Sequence, residues 1–184
     1  LKLAALKGIF SRIVSEQVSY VNAPLMAEAR GIEVTLTRDE TSNDYRNLLT
    51  IRGVLADGSV VSASATLTGA KQTQKLVGIN GYEVEVPLAS HHIVMMYEDR
   101  PGIVAVYGKA FGDASINIAG MQIARDTRGG QALSVLTVDS RVPDELLAEV
   151  AAAISAAGAT VGALQAAVRN AAAQRITYFM SLGN

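Results

Sequence analysis

The sequence contains no cysteine and no tryptophan, only two histidines, and no long uninterrupted apolar run. Without cysteine there is neither a disulfide framework nor a thiolate metal site, which fits a cytoplasmic protein. No segment approaches the roughly 20 consecutive apolar residues that a bilayer-spanning helix needs, so no membrane partner is expected. Excess charge of one sign is also missing: 16 basic residues stand against 17 acidic ones. Phosphate backbones are held by a clustered positive field, so nucleic acid is not an expected partner either. What is present is ordinary for a globular protein, 49% hydrophobic and 18% charged over 184 residues, enough for one domain or two small ones. The first residue is Leu1, and the early apolar stretch is broken by Lys2, Lys7 and Arg12. Nothing there reads as a signal peptide, and the chain reads as part of a longer protein.

The first half alternates between helix and sheet patterns. Leu3–Phe10 reads as a strand, and Asn22-Ala23-Pro24 as a helix start with the proline in the first turn, where its missing N–H costs nothing. That helix runs to Gly31, and Ile32–Thr37 then alternates apolar and polar residues as a half-buried strand does. Arg38–Asn47 is polar and reads as a mobile loop. Two hairpins follow, Leu48–Leu55 with Ser59–Leu67 around Asp57-Gly58, and Lys75–Ile79 with Tyr82–Val86 around Asn80-Gly81. Asp-Gly and Asn-Gly suit the positive φ angles of tight turns. Pro87–Ser90 is a short connection and marks a domain boundary.

The second half reads as strand His92–Tyr97, helix Arg100–Gly112, strand Ile116–Ala124, turn Asp126–Gly130, strand Gln131–Asp139, helix Pro143–Ala157 and a strand near Thr160–Val168. In the first of these helices Ile103, Val106, Tyr107, Ala110 and Phe111 fall on one face. The order β-α-β-β-α-β is the ferredoxin-like plan. The fold class is therefore α+β, with an N-terminal α+β domain over 1–87, a ferredoxin-like domain over 91–168, and a tail, 169–184, of no assigned role although Tyr178-Phe179-Met180 is apolar.

The chemical inventory is thin. His91 and His92 are adjacent, and on a strand they point to opposite faces, so they do not grip one metal. No Gly-x-Gly-x-x-Gly follows a strand, and there is neither a nucleophile elbow nor a phosphate loop. No catalytic residue, metal site or cofactor is assigned to this chain. The segment with content is Tyr97-Glu98-Asp99-Arg100-Pro101-Gly102, a strand-to-helix junction. Asp99 stands where an N-cap belongs and Pro101 in the first turn; Gly102 leaves room for a ligand to approach the backbone. A helix start suits a carboxylate, and Asp99 suits an ammonium, which together describe an amino acid. The alternative role for Asp99 is a plain helix cap, worth about 1 kcal/mol.

The stretch Tyr97–Val104, with Ser115-Ile116-Asn117-Ile118-Ala119-Gly120-Met121-Gln122, resembles the ACT domain that ends D-3-phosphoglycerate dehydrogenases. Upstream, Tyr20–Leu25, Gly31–Val34 and Asn80-Gly81-Tyr82 resemble the intervening domain of the long forms of that family. The resemblance implies a regulatory fragment of a homodimer or homotetramer, without the NAD-dependent catalytic region. It further implies L-serine or a related small amino acid bound between two ACT domains. The effector contacts would be Tyr97, Asp99, Pro101 and Gly102 of one chain and Asn117 of the other. Some relatives carry a second anion site in the intervening domain. Here Lys75 is the available cation, but Tyr82 and Glu83 stand where such relatives place basic side chains, and Lys75 reads as solvated. A regulatory subunit of an iron–sulfur L-serine dehydratase, or a stand-alone amino-acid sensor, has a similar architecture. RNA recognition on the same strand order needs base-stacking aromatics, and Leu133–Val138 offers none.

Overall fold

The computed structural model describes residues 2–11, 13–39, 44–55, 57–157, 161–162 and 177–183. It divides into two compact units between Gly81 and Tyr82, and the strand near the end of the chain groups with the first.

The first unit opens with helices α1 (Lys2–Phe10) and α2 (Ala23–Ala29). The strand expected over Leu3–Phe10 is corrected to helix α1. Its Leu, Ala and Lys residues are strong helix formers, Ile9 alone is β-branched, and Leu6 and Phe10, one turn apart, are each 1% exposed. Burying two such side chains stabilises the unit by about 2 kcal/mol each. Helix α2 begins after Asn22 as its sequence predicts, with Pro24 in the first turn. The Asn22 side chain does not cap it, but turns back to accept the Ser19 N–H at 2.7 Å. Leu6, Phe10, Ala23, Met26 and Ala27 form the core, with Val34 and Ile51 of the sheet packed against them.

Strands β1 (Val34–Asp39), β2 (Leu48–Val54), β3 (Val60–Thr68), β4 (Thr73–Ile79), β5 (Tyr82–Pro87) and β10 (Thr177–Gly183) make a sheet in the order β1-β10-β2-β3-β4-β5. The polar segment expected as a loop yields its first residues to β1, and 40–43 lie outside the described residues. β10 is the main addition to the sequence reading. It lies parallel to β1, with Tyr178 opposite Val34, and antiparallel to β2, with Met180 opposite Ile51.

Both hairpins form where the turn dipeptides stand. At the second, Asn80 (φ 50°) and Gly81 (φ 84°) are both left-handed, and Asn80 Oδ1 accepts the Ser62 N–H at 2.8 Å. Asn80→Ala should therefore destabilise the first unit by about 2 kcal/mol, combining left-handed strain at a non-glycine residue with a lost hydrogen bond. Urea unfolding checks this, and Asn80→Gly, which relieves the strain alone, should recover about half of the loss.

The second unit, which begins with β5, carries β6 (His92–Glu98), α3 (Ile103–Asp113), β7 (Ile118–Arg125), β8 (Gln131–Val138), α4 (Asp144–Ala156) and β9 (Val161–Gly162), the last four strands in sheet order β7-β8-β6-β9. This is the expected β-α-β-β-α-β plan; beyond Gly162, the expected final strand lies outside the described residues. Pro143 is the N-cap of α4 rather than a residue of its first turn, and Asp144 and Glu145 follow at the positive end of the helix dipole. One face of the sheet meets the helices: Ile93, Met95 and Tyr97 of β6 and Ala132, Leu136 and Val138 of β8 pack with Ile103, Tyr107 and Phe111 of α3 and Val150 and Ile154 of α4. On β8 the alternate residues Leu133 and Val135 are also fully buried, so that central strand is covered on both faces. Within this unit the Glu85 N–H donates to Gln122 Oε1 at 2.7 Å, holding β5 to β7.

Candidate functional site

The junction between β6 and α3 consists of Asp99, Arg100, Pro101 and Gly102. Gly102 has φ 93° and is the N-cap of α3. A side chain is strained at that angle, and no atom lies within 4 Å of where a Cβ would stand, so the space above the helix start is open. The assignment of Asp99 as N-cap is corrected. The left-handed turn at Gly102 delays the helix to Ile103, and Pro101 accordingly lies ahead of the first turn, not in it.

Asp99 instead extends the β6–β8 ladder, its N–H donating to the Gly130 carbonyl at 2.8 Å. Its carboxylate Oδ2 accepts from Arg125 Nη1 at 3.0 Å and, more weakly, from the Gly129 N–H at 3.5 Å. The Asp99 side chain is 23% exposed and that of Arg125 58%. Arg125 ends β7 opposite Ala132, and so stands on the helix-side face of the sheet. Sequence reasoning did not single it out, because its meeting with Asp99 depends on the strand order. Arg100 is engaged elsewhere, its Nε and Nη2 donating to Glu98 Oε1 at 2.9 and 2.7 Å. Behind the junction, Asp126 Oδ1 accepts the Gln131 N–H at 2.8 Å and closes the β7–β8 turn. A Cβ at Gly130 would lie 2.3 Å from that same oxygen, so a larger residue there would displace the Asp126 side chain from this contact.

Tyr97 lies beneath the junction rather than in it. It is 2% exposed, and its hydroxyl is 2.6 Å from Ser134 Oγ inside the core. Tyr107 joins the same cluster, 3.5 Å from Ser134 Oγ, and donates to Met121 Sδ at 3.1 Å. Burial pushes the Tyr107 hydroxyl pKa up to about 12, so it stays a neutral donor.

Asn117 stands at the start of β7, its Nδ2 donating to Asp139 Oδ2 at 2.8 Å. β6 and β7 each run antiparallel to β8, and therefore parallel to each other. Asp99 follows the end of β6 and Asn117 precedes the start of β7. The length of β7 thus separates them, about 25 Å at the rise of an extended strand. Within one chain the structure brings together Asp99, Pro101 and Gly102, with Tyr97 below them, and leaves Asn117 apart. Lys75, on β4 opposite Thr66, is half-buried rather than solvated.

His92 opens β6 and is held at both ring nitrogens. Nε2 accepts the Ala89 N–H at 2.9 Å, so the ring proton is on Nδ1, 3.3 Å from Thr137 Oγ1. Desolvation holds its pKa below the ordinary histidine value, a hydrogen bond involving the Leu136 backbone opposing. A depressed folded pKa means stability that is complete above the unfolded value, about 6.5, and is lost as pH falls through the folded one. Lowering the pH from 7.5 to 5.5 should therefore reduce the urea midpoint of the native chain more than that of His92→Gln. Among the described residues no group of three His, Cys, Asp or Glu side chains is placed to hold a metal, and no helix is long and apolar enough to cross a membrane.

Residues 1–80 match the D-3-phosphoglycerate dehydrogenase intervening domain, and residues 91–155 match the ACT domain. The D-3-phosphoglycerate dehydrogenase of Mycobacterium tuberculosis is 37% identical over 156 residues, covering 85% of this chain and 30% of that protein. The enzyme of the same name from Synechocystis is 32% identical over 150 residues, covering 82% and 27%, and that from Bacillus subtilis 29% identical over 147 residues, covering 80% and 28%. The chain thus spans about 30% of the length of these curated relatives. It carries the intervening domain and the ACT domain of the D-3-phosphoglycerate dehydrogenase family, in that order.

Proposed function

We propose that this chain is the regulatory and oligomer-forming region of a D-3-phosphoglycerate dehydrogenase. In this reading it binds L-serine, or a closely related small amino acid, between two ACT domains. The bound effector then sets the rate of NAD-dependent oxidation of 3-phosphoglycerate by a catalytic region that this chain does not contain. The chain itself contributes no catalytic residue and no cofactor site.

The observation that carries the reading is the separation of Asp99 from Asn117 along an edge strand. β7 lies at the end of its sheet, and Met121 and Ile123 on it are 48% and 40% exposed. Among the described residues no strand is hydrogen-bonded in the sheet on its outer side, and a partly apolar edge of that kind invites a second strand. Antiparallel pairing of β7 with the same strand of a second chain puts Asn117 of one copy beside the Asp99 end of the other. Asp99 then receives the ligand's ammonium. The Asn117 amide, donor and acceptor at once, suits the serine hydroxyl or carboxylate. The effector regulates by favouring one arrangement of the oligomer over another, so its affinity and the assembly equilibrium are linked. Lys75, half-buried on β4, is assigned no anion site.

Sedimentation with and without L-serine tests the shared site. A homodimer or homotetramer, strengthened by serine, is the expected result; a monomer that binds serine contradicts a site built from two chains.

A further inference from the structure

We propose that Arg125 is the carboxylate-binding residue of this effector site, so that the Asp99–Arg125 pair selects a zwitterion; the inference rests on the amino-acid reading above and specifies its chemistry. An exposed ion pair between the ends of two strands contributes little to stability, so its geometry matters more than its strength. That geometry leaves both partners half used. Arg125 donates to Asp99 through Nη1 alone, and among the described residues its Nε and Nη2 have no acceptor. Asp99 accepts through Oδ2 alone, and among the described residues its Oδ1 has no donor. One guanidinium edge and one carboxylate oxygen of the pair thus remain without a partner among the described residues, at a junction whose next glycine, Gly102, leaves open space.

An α-amino acid presents an ammonium and a carboxylate a few ångströms apart, matching that pair with the charges reversed. The ammonium goes to Asp99 Oδ1, and the carboxylate meets the planar N–H fork of Arg125, a geometry that lysine does not reproduce. The existing contact between the two residues need not break. The neighbouring cation is less available, because Arg100 is held through two nitrogens by Glu98. Arg125 also ends the edge strand along which Asn117 of a second chain arrives, so it lies on the side of the site where the ligand is enclosed. An amine without a carboxylate, or a hydroxy acid without an ammonium, leaves one member of the pair unmatched.

The test is calorimetric titration of the full chain and of Arg125→Gln and Arg125→Lys with L-serine, ethanolamine and D-glycerate. The native chain should bind serine, and bind each half-ligand at least about tenfold more weakly. Arg125→Gln should weaken serine by about tenfold or more and leave ethanolamine unchanged, while Arg125→Lys falls between. Serine binding to the native chain with unchanged affinity for Arg125→Gln overturns this inference and leaves the effector reading intact, as does tighter binding by that variant. Absence of serine binding to the native chain overturns both. Thermal unfolding of each variant identifies loss through misfolding, and Arg125→Lys, which keeps the charge, decides the point if Arg125→Gln does not fold.

Discussion

Asp99→Ala should weaken L-serine binding by about 10- to 100-fold while leaving the unfolding midpoint nearly unmoved. A hydrogen bond to a charged group contributes about 1.5–3 kcal/mol, which is that range in affinity. The separation of the two effects follows from the corrected helix start. Had Asp99 capped α3, its removal would cost about 1 kcal/mol of stability and blur the result. The cap is Gly102, and among the described residues the Asp99 carboxylate meets only exposed Arg125 and the distant Gly129 N–H. Such a contact is worth about 0–1 kcal/mol. Calorimetry and a thermal scan on the same sample check both parts, and a large fall in stability with unchanged affinity would return Asp99 to a structural role.

Phe111→Ala should have the larger effect on folding, about 3–5 kcal/mol, the range for truncating a fully buried aromatic side chain. Phe111 is completely buried on the inner face of α3, its ring centroid 6.4 Å from that of Tyr107 at a 40° tilt. It packs in the core shared by both helices and the sheet, so its truncation leaves a cavity there. For a unit of this size the transition should fall by about 15–30 °C. Val104→Ala, on the exposed side of the same helix, should change stability by no more than about 0.5 kcal/mol. Differential scanning calorimetry distinguishes the two; similar midpoints would mean that the periodicity of α3 does not define its buried face.

The buried face of α3 was legible because it depends on local spacing alone. Ile103, Tyr107 and Phe111 recur at helical intervals, and the structure buries each of them. The same parity argument applied to β6 puts Tyr97 with Ile93 and Met95, hence in the core, and this signal was available in the sequence. The α1 segment was misread because its apolar content hides a buried stripe of only Leu6 and Phe10. β10 could not be placed, because its partners Val34–Asp39 and Leu48–Val54 lie more than a hundred residues earlier, and no local pattern reports such a pairing. The Arg125–Asp99 contact is hidden for the same reason. Two residues at the ends of different strands meet only once β8 has set the order between them. The site was thus half visible: the junction and Gly102 by spacing, Asn117 by family resemblance, and Arg125 only from the folded sheet.

In the proposed function the ACT domain of this chain recognises a small amino acid at the Asp99 junction. Titration of the native chain with L-serine, set against L-alanine under the same conditions, tests it most directly. Saturable binding of serine, with alanine distinctly weaker for want of the hydroxyl, is the predicted result. No heat of binding with either, or equal affinity for both, would contradict it.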